Sequence, residues 1–187
     1  IGTWKGLNLY DKQACKIIPF PDTRLLDKGI NYMAADKEDN IWIGAGNTIY
    51  RCNSTASIAR EYDIFGSQQN KHVINFVYQD REGNMWVLTG GGLFRYDDKS
   101  DSFITYPPLG RNNAPYTMYQ DQSGNYWIGT WGEGLWQFFP KKEGEECYKR
   151  HHIINSRSGE TEPIFYSMTQ DNTFGYLWLL SYNELYA

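Results

Sequence analysis

Large aromatic residues recur at one place in this chain. Trp4, Trp131 and Tyr182 each stand four positions beyond a repeated Trp site, where the matching segments carry Gly46 and Gly90. The opening Ile1-Gly2-Thr3 repeats Ile128-Gly129-Thr130, which gives Trp4 the place of Trp131. A flat ring presented on a turn stacks on another flat face, such as that of a sugar ring, at little conformational cost. Tyr116, Tyr166, Asn75 and Asn31 stand five residues before a recurring Asp and are candidates to line the same mouth. Glu133 and Arg111 fall in or near loops of that face, where they would pair with a charged or hydroxyl-rich ligand. The competing reading of all these residues is packing between neighbouring loops.

Other chemistry is poorly provided for. Acid–base work by histidine needs a convergent pair, whereas His72 lies at the end of a loop and His151-His152 in an expected outer strand. A glycoside hydrolase needs opposed carboxylates, which the spacing neither supplies nor forbids. The recurring aspartates Asp36, Asp80, Asp121 and Asp171 lack the alternating oxygen ligands of a calcium loop. They are read as turn residues, and no metal or cofactor is expected. Cys15, Cys52 and Cys147 show neither zinc spacing nor a disulfide framework and are read as unpaired buried thiols.

What must position these residues is a repeat. Asp80-Arg81-Glu82-Gly83-Asn84-Met85-Trp86 returns as Asp121-Gln122-Ser123-Gly124-Asn125-Tyr126-Trp127. Asp36 to Trp42 keeps the frame with Asp39 in place of Gly, and Asp171 to Trp178 keeps it with one extra residue before Gly175. The steps between Trp42, Trp86, Trp127 and Trp178 are 44, 41 and 51 residues, the period of four-stranded propeller blades. The fixed register marks these four Trp as core.

Runs rich in β-branched and aromatic residues, such as 73–78 and 116–119, precede each Asp and are predicted as strand A. Asp-x-x-Gly then reverses the chain, because Asp bonds its own downstream backbone and Gly accepts positive φ. Strand B is predicted at 41–45, 85–89, 126–130 and 177–181, and strand C at 7–10, 49–52, 93–96, 135–138 and 185–186. A fourth strand follows at 15–20, 58–64, 102–106 and 147–154. A sandwich of similar strands would not need a Trp and a turn repeated in one register. The predicted fold is therefore all-β, a β-propeller of four-stranded antiparallel blades.

The tally is B-C-D, three full blades, then A-B-C. Residues 1–187 are expected to form a single propeller segment of about four and a half blades, cut within a blade at both ends. Closed propellers have whole blades because closure protects strand edges, so the segment is expected to be an excerpt that meets the remaining blades of a parent chain.

A 17% aromatic share suits blades packed face to face through flat side chains. A formal net charge of −4 without a basic stripe excludes a nucleic-acid footprint. No apolar stretch approaches the roughly 20 residues of a membrane span, so no membrane insertion by this segment is expected.

Gln79-Asp80-x-x-Gly83-Asn84-x-Trp86 with Gly91-Gly92-Leu93-Phe94-Arg95-Tyr96, and Gln120-Asp121-x-x-Gly124-Asn125-x-Trp127-Ile128-Gly129-Thr130 with Gly134-Leu135, resemble one known repeat. It is the regulator-propeller repeat of the extracytoplasmic sensor region of hybrid two-component histidine kinases. The departures are Asp39, the lengthened turn before Trp178 and the polar insert around Lys141 to Glu146.

The resemblance implies a periplasmic sensor, the extracytoplasmic part of an inner-membrane protein, that recognises oligosaccharides and signals across the membrane as a homodimer. Kinase chemistry would lie elsewhere in the parent protein, so this segment is not expected to be an enzyme. Two alternatives stay open. One is a propeller lyase or glycoside-processing enzyme, since some lyases repeat a closely similar turn. The other is a protein-interaction scaffold, since interfaces favour Tyr and Trp as glycan sites do.

Overall fold

The computed structural model describes residues 1–53, 55–66, 72–109, 114–182 and 184–186. They form five antiparallel sheets, each built from consecutive strands. The first holds β1 (Gly2–Thr3), β2 (Gly6–Asp11) and β3 (Lys16–Pro19). The second holds β4 (Ile30–Ala35), β5 (Ile41–Ala45), β6 (Thr48–Cys52) and β7 (Ile58–Tyr62). The third is β8 (Ile74–Gln79), β9 (Met85–Thr89), β10 (Gly92–Asp97) and β11 (Ser102–Thr105). The fourth is β12 (Ala114–Gln120), β13 (Tyr126–Trp131), β14 (Leu135–Phe138) and β15 (Tyr148–His151). The last holds β16 (Phe165–Gln170), β17 (Leu177–Ser181) and β18 (Leu185–Tyr186). Each full sheet is an up-and-down meander in the order A-B-C-D, as the sequence period requires.

The fourth strands are shorter than predicted. Cys15 has φ 51° and belongs to the hairpin turn between β2 and β3, so it ends no strand and its thiol is exposed rather than buried. Likewise the polar insert winds into a 3-10 helix, Gly144–Cys147, and only Tyr148–His151 remains as strand. Cys52 and Cys147 are buried and unpaired. Among the described residues no helix is long and apolar enough to cross a membrane.

The chain divides into two compact units, Ile1–Val87 with Tyr96–Ile104, and Leu88–Arg95 with Thr105–Ala187. In the first, Leu25, Ile43, Ala45, Tyr50, Cys52 and Ile58 form a buried cluster, flanked by Leu7, Phe20 and Ile30. In the second, Leu135, Phe165, Met168 and Leu179 do the same, flanked by Tyr119, Trp127, Ile153, Leu177 and Tyr186. Burial of such a side chain stabilises the fold by about 1.5–3 kcal/mol.

The repeat Trp side chains are tied to the repeat aspartates. Nε1 of Trp42, Trp86, Trp127 and Trp178 donates to Oδ2 of Asp36, Asp80, Asp121 and Asp171 at 2.7, 2.7, 2.9 and 3.2 Å. The Asp-x-x-Gly turn is thus both a reversal and a cap for the buried indole. Trp42 and Trp86 are fully buried, whereas Trp127 and Trp178, also expected in the core, are half-buried. Burial of an indole N–H without a partner is costly, and the aspartate removes that cost.

Candidate aromatic binding site

The bulge is the element that builds the site. Strand A of three sheets slips register at the residue five before the repeat Asp: between Ile30 and Tyr32, Pro115 and Thr117, and Phe165 and Ser167. The bulged residues are Asn31, Tyr116 and Tyr166. A bulge leaves its extra residue unpaired and re-aims its side chain.

Each bulged residue meets the position four beyond the Trp of its own sheet. Asn31 Oδ1 accepts the Gly46 amide at 2.9 Å. Tyr116 packs against Trp131 with ring centroids 5.9 Å apart, and Tyr166 against Tyr182 at 6.4 Å. Small residues therefore close the turn through a side-chain-to-backbone bond, whereas large ones pair their rings.

In the second unit these pairs merge. Tyr166 also lies 6.1 Å from Tyr116 and 5.6 Å from Trp131, at interplanar angles of 76° and 66°. Four rings thus form one cluster in edge-to-face and tilted contacts, each pair worth about 0.5–1.5 kcal/mol. The cluster remains open, with Tyr116 40%, Trp131 49% and Tyr182 74% exposed. Loss of water, then neighbouring Tyr182, Tyr116 and Glu162, push the Tyr166 hydroxyl above the ordinary phenol range.

Backbone contacts fix the frame beneath the rings. Gly129 lies so close to β16 that an added Cβ would stand 2.7 Å from Thr117 Cγ2 and 2.8 Å from the Phe165 carbonyl oxygen. The amides of Gly132 and Gly134 donate to the Pro163 carbonyl at 2.9 and 2.8 Å, and Trp131 bridges to Ile164. Glu133, expected to face a ligand, lies 3.5 Å from Arg150 in an ion pair on β15.

Trp4 and Asn75 fall in the first unit. Trp4 sits in the turn between β1 and β2, 83% exposed, with its ring beside Gly29. Asn75 is half-buried in β8. Arg111 lies outside the described residues.

His151 packs its ring 5.1 Å from Trp127, and burial, with Lys149 and His152 nearby, lowers its pKa below the usual imidazole value. Among the described residues no group of three His, Cys, Asp or Glu side chains gathers as a metal site.

Beside the rings the second unit carries a polar cavity of about 460 Å³ lined by Asn155, Arg157, Glu160, Glu162 and Glu184. Sequence reasoning missed these residues. Their only signal was the 51-residue step between Trp127 and Trp178, which holds an extra hairpin closed by the Ile154–Thr161 bridge.

Residues 67–91 and 109–132 match the two component regulator propeller family. No curated protein sequence matches the chain. Among solved structures it is similar to the extracellular domain of BT4673, described as a hybrid two component system from B. thetaiotaomicron. There the TM-score is 0.78 at 22% identity over 98% of this chain and 25% of the other. The extracellular domain of BT3049, described likewise and from the same organism, matches with a TM-score of 0.73 at 22% identity over 98% and 25%. Virginiamycin B lyase from Staphylococcus aureus matches with a TM-score of 0.69 at 16% identity over 95% of this chain and 57% of the enzyme. The chain thus spans about a quarter of the length of the first two. These likenesses show the fold, a β-propeller.

Proposed function

We propose that this chain, which carries two-component regulator propeller repeats, is an extracytoplasmic ligand-sensing segment of a hybrid two-component signalling protein, and that its ligand is an oligosaccharide. One observation carries the reading: Tyr116, Trp131, Tyr166 and Tyr182 form a single open cluster of rings on adjacent sheets. A core would have buried such rings, and stacking on the apolar face of a sugar uses what is left exposed. The likeness to extracellular domains of two-component systems supports a place outside the cytoplasm, and the periplasm is the compartment such a sensor would occupy.

In this reading the segment performs no chemistry. The lyase likeness favours a second reading, an enzyme, and product analysis separates the two. A panel of defined oligosaccharides is titrated against the chain by calorimetry, with each mixture then analysed for altered sugar. Binding of unaltered sugar that disappears in Trp131→Ala with Tyr182→Ala is the expected result. Turnover of any sugar would make the chain an enzyme, and binding indifferent to both substitutions would place the ligand elsewhere.

A further inference from the structure

The hairpin between β15 and β16 folds around the polar cavity of the second unit. Glu162 is only 2% exposed, and its Oε2 accepts the Tyr186 hydroxyl at 3.2 Å and Asn155 Nδ2 at 3.5 Å. Asn155 Nδ2 also donates to the Tyr186 hydroxyl at 3.0 Å, while its Oδ1 accepts the amides of Arg157 and Ser158 at 2.9 Å each. Glu184 Oε1 is closed off from solvent and receives no hydrogen bond among the described residues. It lies 3.1 Å from Arg157 Nε in an ion pair, and the Arg157 side chain is largely exposed. The charged lining is thus three carboxylates, Glu160, Glu162 and Glu184, against one guanidinium that already has an acidic neighbour.

A single short segment joins this cavity to the rings. Glu162 and Pro163 line the cavity. The Pro163 carbonyl holds the turn that follows Trp131, Ile164 bridges to Trp131, and Tyr166 is a member of the ring cluster. A ligand stacked on the rings therefore has the acidic cavity beside it.

We infer that the cavity is the polar half of the ligand site, that it receives hydroxyl or ammonium groups of the stacked oligosaccharide, and that it refuses acidic sugars. The inference rests on the reading of the four rings as the stacking platform. Ionised carboxylates only accept hydrogen bonds, so they suit hydroxyl and ammonium donors. A uronate or sulfate would be brought against like charges away from water, and such juxtaposition suppresses wrong partners. Carboxylates on this wall therefore set which sugars fit, while the rings set that a sugar fits at all.

The test uses the whole chain and three sets of oligosaccharides, each with α- and β-linked members: neutral hexose oligomers, deacetylated glucosamine oligomers and hexuronate oligomers. Calorimetric titration is expected to show binding of neutral or amine-bearing members and none of the uronates. Glu162→Gln, which preserves shape, and Glu184→Gln, at the cavity's unbonded oxygen, should each improve uronate affinity about tenfold or more, as removal of a like charge predicts. Melting curves identify any variant that fails to fold, and Glu160→Gln, at an exposed position, then takes its place.

Uronates that bind the unaltered chain as tightly as neutral sugars, and lose binding in Trp131→Ala, would overturn the charge selection and leave the platform standing. Refusal of uronates that no Gln variant relieves would overturn it as well. Sugar binding unaffected by Trp131→Ala would overturn the platform, and silence across all three sets would overturn both.

Discussion

Trp42 Nε1 donates to Asp36 Oδ2 at 2.7 Å, and the same carboxylate accepts Asn40 Nδ2 at 3.0 Å and, through Oδ1, the amides of Glu38 and Asn40. Burial pushes the Asp36 pKa up, but the hydrogen bonds from Trp42, Asn40 and Glu38 outweigh it and hold the group below the ordinary carboxylate range. Asp121 shows the same balance, with Trp127 and Asn125 as the leading donors.

A depressed folded pKa makes stability depend on acid. The unfolded carboxyl, at about 3.9, takes up a proton before the folded one does. The contribution is complete above about pH 4 and is lost as pH falls through the depressed folded values. Denaturant midpoints measured from pH 6 to pH 2 should fall steeply below pH 4. Asp36→Asn should be less stable at pH 7 and decline less steeply below pH 4, because one of the titrating groups is gone. An unchanged acid limb would show that the turn carboxylates do not titrate with folding.

Asp39 stands where the other turns carry Gly, and its φ of 62° is left-handed, as are those of Gly83, Gly124 and Gly175 at 94°, 83° and 75°. Asp tolerates this region better than most residues but still pays a steric cost that Gly does not. Asp39→Gly should therefore stabilise the chain by up to about 1 kcal/mol, read as a raised denaturant midpoint. Loss of stability would mean that the Asp39 side chain makes a contact worth more than the strain.

The sequence made some of this legible and hid the rest for physical reasons. Strand B appeared at 41–45, 85–89 and 177–181 as the structure has it, because Trp and Asp-x-x-Gly recur in a fixed register and local turn chemistry decides those boundaries. Tyr116, Trp131, Tyr166 and Tyr182 were individually visible as aromatics at repeated positions. That they touch depends on bulges at Tyr116 and Tyr166, which no propensity announces. The Glu162–Tyr186–Asn155 network was invisible, since residues 155 and 186 are far apart in the chain and the hairpin that brings them together belongs to no repeat. Cys15 was misread as buried because a thiol's usual burial was weighed without its left-handed turn.

Two tryptophans should separate stability from recognition. Trp86 is 1% exposed and bonded to Asp80, so Trp86→Ala leaves a cavity and strips Asp80 Oδ2 of its indole donor, with Asn84 Nδ2 at 2.8 Å still bonded to it. It should cost about 3–5 kcal/mol in chemical denaturation. Trp131 is half exposed and packs on the rings of Tyr116 and Tyr166, so Trp131→Ala should cost about 1–3 kcal/mol, less than Trp86→Ala, while abolishing sugar binding. A stability loss in Trp131→Ala as large as that in Trp86→Ala would make the ring cluster a packing device.

Gly129 connects the two effects. An added methyl would sit 2.8 Å from the Phe165 carbonyl oxygen, 2.9 Å from Phe165 Cβ and 2.7 Å from Thr117 Cγ2. Backbone cannot swing aside as a flexible side chain does, so Gly129→Ala must push β16 away or distort β13. Overpacking of this kind costs about 1–3 kcal/mol. Phe165 directly precedes bulged Tyr166, and Thr117 directly follows bulged Tyr116, so the displacement reaches both bulges and loosens the rings without changing any of them. Gly129→Ala should therefore lower the denaturant midpoint and weaken oligosaccharide affinity together, whereas Gly124→Ala, with nothing within 4 Å of its added carbon, should lower stability through its φ of 83° and leave affinity intact. Equal affinity in both variants would show that the rings keep their geometry without this close approach of β13 to β16.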